Sequence, residues 1–200
     1  MDSVINEAYF VFHRYRVKFN KTLDEMKLHQ LLYLAQRESI VQINKPLFKE
    51  EFEGWKFGPV CTTVRIAYKR KEFKNQSNFV DVSKRVSEYC RNVVNSVIRR
   101  YGEKESWSLN SILCKEHSWL QSREGFKDGE NGSRVITLDS IRVDADHIRE
   151  RRKNLRQVGD SPCIVVPIID ATALDEDFEV VDIAKEVKKI KKLFSILKSL

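Results

Sequence analysis

Apolar residues recur at three- and four-residue steps along most of the first 156 positions, and this spacing predicts helices. Ile5, Ala8, Tyr9, Phe12 and Tyr15 define one over residues 4–18. Thr22 and Glu25 form a capping box, in which each side chain satisfies a backbone N–H of the other. They open a second helix, from about Leu23 to Val41, with Leu28, Leu31, Leu32 and Ala35 as its apolar stripe. Lys45-Pro46 breaks the pattern. Glu50 to Phe57 then alternates, with Phe52 and Gly54 on one face and Glu51, Glu53, Trp55 and Phe57 on the other, as in a short strand. Gly58-Pro59 ends it, and Pro59 suits the first turn of a helix, where its missing N–H would be unpaired anyway. That helix turns Val60, Val64, Ala67 and Tyr68 inward and ends near Phe73.

After a polar loop at Asn75 to Asn78, Asp81 or Ser83 caps a helix with Val82, Val86, Tyr89, Cys90, Val93, Val97 and Ile98 on its apolar face. Gly102 is placed as its C-terminal cap. A shorter helix holds Trp107, Leu109, Ile112 and Leu113, and a turn leads to Trp119 and Leu120. Glu124 to Ser133 is a loop, Arg134 to Leu138 a small strand, and Asp144 to Leu155 a charged helix. Beyond residue 156 the composition changes. Cys163 to Ile169 has the β-branched content of a strand, with Pro167 marking an edge position. Ile183, Val187, Ile190, Phe194 and Leu197 form the seam of a lysine-rich amphipathic helix.

The fold class that follows is mainly α. A single compact domain of about five or six helices with a small β element occupies residues 1–156, and a strand-helix extension with the amphipathic helix occupies residues 157–200. Hydrophobic residues make up 42% of the 200 positions, enough to fill a core, and charged residues 32%, enough to solvate its surface. Seven Gly and four Pro are too few for a many-turned β-sandwich. No apolar run is long enough to span a bilayer, the first residues are acidic where a secretory signal is basic, and the four cysteines are scattered. Those features predict a cytoplasmic protein with free thiols. The net charge of +7 raises a nucleic-acid hypothesis, but the basic residues are spread thinly, around Lys69-Arg70-Lys71, Arg149 to Arg156 and the last helix.

The segment Met26-Lys27-Leu28-His29-Gln30-Leu31-Leu32-Tyr33-Leu34-Ala35-Gln36 resembles the signature helix of the Panacea (SocA-like) domain family, written Lys-Leu-Gln-Lys-Leu-Leu-Tyr. A second motif follows at the proper distance: Pro46-Leu47-Phe48, then Phe52-Glu53-Gly54-Trp55-Lys56-Phe57-Gly58-Pro59-Val60. It is similar to the family's Glu-Ala-Trp-Lys-Tyr-Gly-Pro-Val, with Gly54 and Phe57 as departures. His117 and Trp119, after the leucine-bearing stretch from Leu109, echo a third block. The resemblance covers roughly residues 4 to 145. It implies a bacterial or phage protein of the antitoxin or adaptor kind, which neutralises a toxin or host effector by direct contact and in some members works with a protease. It brings no catalytic residues with it.

The residues alone offer little chemistry. His13, His29, His117 and His147 have no ligand-like spacing. Cys114 and His117, three apart on one helical face, supply half of a zinc set, and nothing supplies the other half. Cys90 belongs to a core face. Cys61, in a first helical turn, is the one thiol whose pKa a helix N-terminus would lower, although a core or incidental thiol is the better reading. Phosphate loops, dinucleotide turns and nucleophile elbows are absent from the sequence. The expectation is therefore a non-enzyme without cofactor or metal.

Trp55 and Phe57 sit at a sharp Gly-Pro corner, where a large aromatic either holds the corner against the signature helix or anchors a partner. Arg65 and Lys69 lie on one edge of the next helix as a solvated face or an electrostatic guide, and the basic residues from Arg149 to Arg156 admit the same two readings. Trp119 and Phe194 complete the candidate partner-binding set. The C-terminal helix that carries Phe194 packs back on the protein or zips to a partner or second copy. A nucleic-acid-binding regulator and a phage-encoded modulator of a host system are the alternatives.

Overall fold

The computed structural model describes residues 3–74, 82–127 and 129–158. The polar loop at 75–78 and, from residue 159 on, the expected strand-helix extension with Phe194 lie outside the described residues. The described part is mainly helical, with seven α-helices and one three-stranded sheet. In chain order it runs α1 (Val4–Phe19), α2 (Glu25–Ile43), β1 (Phe52–Trp55), β2 (Gly58–Val60), α3 (Thr62–Lys69), α4 (Glu88–Tyr101), α5 (Ser106–Leu113), α6 (His117–Ser122), β3 (Val135–Ile136) and α7 (Leu138–Val158).

Helix α2 is the axis of the fold. Every residue from Lys27 to Val41 is buried, because α1, α4, α5, α7 and β2 all pack against it. The apolar stripe read from the sequence accounts for only one side. On the others, polar side chains are buried with partners. Lys27 Nζ donates to the Lys104 carbonyl at 2.6 Å and Gln30 Nε2 to that of Ser106 at 3.0 Å. Gln36 holds the next loop from both ends of its amide, accepting from Leu47 N–H at 2.7 Å and donating to the Phe48 carbonyl at 3.1 Å. A satisfied buried amide of this kind fixes the path of a chain at little net energetic cost.

The cap of α2 corrects the capping-box expectation. Asp24, not Thr22, is the N-cap, and its carboxylate accepts from Lys27 N–H at 2.8 Å. Leu23 then precedes the cap and Leu28 follows it four residues on, both buried, the two positions of a hydrophobic staple. At the other end, Asn44 adopts a left-handed conformation and donates to the Ile40 carbonyl.

Other boundaries differ as well. Pro59 lies in β2 and not in a helical first turn: β1 folds back through Lys56-Phe57 so that Trp55 pairs with Gly58 and Gly54 with Pro59. Gly58, at φ 109°, takes a conformation few side chains tolerate. Helix α4 starts at Glu88 after the N-cap Ser87, whose hydroxyl accepts from Cys90 N–H, and Val82–Lys84 forms a separate 3₁₀ turn. Trp119 and Leu120 belong to a helix, α6, and α7 begins at Leu138, six residues before the expected start.

The sheet has the order β2-β1-β3, antiparallel throughout. Phe52 and Gly54 face inward as their alternation predicts. A Cβ at Gly54 would lie 1.8 Å from Ser122 Oγ, so the glycine lets α6 close on β1. Tyr33, from the signature stretch of α2, packs edge-on to Phe52 at 5.3 Å and places its hydroxyl 2.5 Å from Ser118 Oγ. Asp144 of α7 accepts from the N–H groups of His117 and Ser118, at 2.8 and 3.0 Å, and so caps α6. Sheet, α6 and α7 are thus locked to α2, and the hairpin tip is held in a fixed place.

Candidate partner-binding groove

The hairpin tip, the first turns of α2 and α3 and the loop at 131–133 enclose a groove of about 640 Å³. Its lining is mostly apolar, with Met26, Trp55, Phe57, Pro59 and Val60 meeting Glu25, His29, Lys56 and Arg65. A two-residue hairpin loop pushes its side chains outward, and Phe57 accordingly stands 46% exposed. Its ring meets Trp107 of α5 edge-on at 5.9 Å, and Trp107 is itself 64% exposed. Two large aromatics that cover each other only in part form an apolar lip at the mouth of the groove.

Three of the residues singled out in the sequence come together here. The Arg65 guanidinium lies 4.8 Å from the Trp55 ring centroid and donates to Glu25 Oε1 at 2.6 Å. The Trp55 indole N–H donates to Glu53 at 2.8 Å. Phe57 forms the lip. Lys69 stands beside the groove, 3.0 Å from Glu25 Oε2, so one carboxylate receives two cations. Trp119 does not reach the groove. Its indole N–H donates to the Trp55 carbonyl at 3.0 Å while its ring packs against the core, a strut behind the corner. Phe194 lies outside the described residues.

The sequence reading missed one groove residue, His29, and the aromatic beside the groove, Trp107. Trp107 was grouped with inward-facing Leu109 and Leu113, yet two residues before Leu109 is the opposite side of a helix, and its exposure follows from that angle. His29 had been set aside for want of a ligand partner. Its Nδ1 accepts from Cys61 N–H at 3.3 Å, which leaves the proton of the neutral ring on Nε2. The residue is 2% exposed, and Nε2 has no hydrogen-bond partner among the described residues. Burial lowers its pKa to about 4, opposed by Glu25 and assisted by Arg65, so the ring is neutral at ordinary pH.

Elsewhere the structure corrects chemical expectations. Cys61 is the N-cap of α3, but it is buried, and burial pushes its thiol up despite backbone hydrogen bonds from Val64 and Thr63 that pull the other way. A reactive thiolate is not what this site makes. Cys114 is also pushed up by burial, to about 11. It ends α5 while His117 opens α6, so the two do not share a helical face. Among the described residues no group of three or more His, Cys, Asp or Glu is placed to hold a metal. No helix among them is long and apolar enough to cross a membrane. The basic run after Arg149 is in part internal. Arg149 donates to the Ile40 and Val41 carbonyls at the end of α2, and Arg152 makes a two-point contact with buried Glu38 at 2.9 and 3.1 Å.

A protein-family model for the SocA-like antitoxin, Panacea domain, matches residues 28–120. No curated protein and no solved structure matches the chain. The match is narrower than the span over which the motifs suggested a resemblance. It runs from early in α2 to late in α6 and so includes His29, the hairpin and Trp107, while α1, β3 and α7 lie outside it. Over residues 28–120 the chain is similar to the SocA-like antitoxin, Panacea domain family.

Proposed function

We propose that the chain is a protein-binding antitoxin or adaptor-like protein of the cytoplasm, which neutralises a toxin or effector by covering it and catalyses no reaction itself. The observation that carries this reading is the exposed aromatic lip, Phe57 and Trp107, both inside the segment matched by an antitoxin family, at the mouth of an apolar groove. Large aromatics become energetic anchors when a partner buries them. Occlusion needs only a complementary surface, which a rigid hairpin on a fully packed helix supplies.

The test is co-expression with the product of the adjacent gene. The expected result is relief of that product's growth inhibition and its co-purification with this chain in a fixed ratio. Phe57→Ala with Trp107→Ala should weaken the complex by about 2 kcal/mol or more, roughly thirtyfold, without unfolding the protein. A neighbour that is harmless and not retained would overturn the reading. If the toxin is removed by a protease, its half-life will shorten when this chain is present.

A further inference from the structure

We infer that the groove receives an extended segment of the partner in which an acidic residue adjoins a large apolar one, with a backbone carbonyl of that segment accepting the His29 Nε2–H. This inference rests on the protein-binding reading and specifies the chemistry of the partner.

Three observations converge. First, His29 is a neutral ring with a committed Nδ1, so its remaining nitrogen is a donor and cannot act as an acceptor. His29 lines the groove, and that donor is buried without a partner among the described residues. An unpaired buried donor is costly, and an incoming acceptor would gain more here than at the open surface. Second, the charges at the groove do not cancel. Both oxygens of Glu25 are already taken, by Arg65 and Lys69, and Glu53 is bound to the Trp55 indole. Lys56, exposed on the hairpin tip with its ammonium 4.9 Å from the Phe57 ring centroid, has no carboxylate partner among the described residues. Among the described residues, an acidic side chain is the group it lacks. Third, Phe57 and Trp107 stand beside Lys56 and offer an apolar surface with an edge already organised. A carboxylate next to a large apolar side chain satisfies the lysine and the lip together.

The edge strand β2 does not offer a simple strand-pairing alternative. Pro59 sits at its centre and has no N–H to donate, so the recognition falls to side chains and to His29.

The experiment selects from a displayed library of random ten-residue peptides on the purified full chain, then measures the affinity of enriched synthetic peptides. The expected winners place Asp or Glu beside Phe, Trp, Leu or Ile. Their affinity should fall at least tenfold in Lys56→Glu and in Phe57→Ala, both exposed changes that leave the fold intact. In the unaltered protein the His29 Nε2–H proton should move downfield in the NMR spectrum when peptide is added. Winners without an acidic residue, affinities indifferent to Lys56→Glu, an unmoved Nε2–H, or no enrichment each overturn the inference. If the adjacent-gene product is neutralised equally well by Lys56→Glu and Phe57→Ala, the groove inference falls while the antitoxin reading stands. If acidic-apolar peptides bind the groove as described but no neighbouring protein is neutralised, the groove inference stands and the antitoxin reading falls.

Discussion

At the scale of single residues, chemistry was legible where a side chain's environment is set by its near neighbours in sequence and obscure where it is set by distant ones. Phe52 and Gly54 could be assigned inward because alternation is local. Cys61 carried two readings, a helix N-terminus that lowers its pKa or a place in the core that raises it, and burial decides for the core. His29 is the same lesson in reverse, since nothing in the sequence says that a backbone N–H thirty-two residues away will fix its tautomer. Its burial has a measurable consequence. An unfolded chain protonates this histidine near 6.5, the folded one only near 4, so between those values the unfolded state holds more protons. The stability His29 allows is therefore complete above pH 6.5 and is lost progressively as pH falls towards 4. The loss should reach about 3 kcal/mol. Urea unfolding at pH 7 and pH 4 will carry contributions from carboxylates too, so the comparison is with His29→Gln, whose unfolding free energy should fall less over the same interval by about that amount. Parallel pH profiles for the two proteins would show that the ring is not buried as described.

At the scale of elements, periodicity located the helices and the hairpin but misplaced several ends. Thr22, Asp24, Asp81, Ser83 and Ser87 are all competent caps, and which one is used depends on where the chain must turn to bury what precedes it. The role of α7 was even less visible, because its partners in α2 lie more than a hundred positions back. α2 has no basic residue in its last turn, and α7 supplies the missing cation: Arg149 covers its terminal carbonyls. One turn further in, Arg152 and Arg100 flank Glu38, whose side chain is only 2% exposed. A buried pair of this kind adds little compared with apolar packing, but losing Arg152 leaves buried Glu38 to the longer 3.4 Å contact with Arg100. Arg152→Met should destabilise the protein by about 3 kcal/mol, and adding Glu38→Gln should restore part of that, since a neutral amide can still accept from Arg100. Urea unfolding of the single and double variants tests this. An additive double variant would mean that Glu38 and Arg152 are not coupled.

At the scale of the whole molecule, the sequence declared a net charge of +7 and could not say where it would go. Counting basic residues made a nucleic-acid regulator a serious alternative. Folding spends several of them internally: Arg37 pairs with Glu116, Arg100 and Arg152 with Glu38, Arg65 with Glu25, and Arg149 with backbone carbonyls. Those groups are not arrayed for phosphates, and phosphate neutralisation is what gives nucleic-acid binding both its strength and its steep dependence on salt. A basic protein of this kind will still attract DNA weakly at low ionic strength. The expected outcome of titrating a duplex of about 20 base pairs is association that disappears by about 0.15 M salt, with the shallow slope of a few diffuse contacts. The complex with the acidic-apolar partner segment should persist there, because most of its binding comes from aromatic burial and one internal hydrogen bond and only the Lys56 contact is screened. A saturable DNA complex that survives at that ionic strength, with a slope equivalent to six or more phosphates, would reverse the ranking and make the basic surface, not the groove, the working face of the molecule.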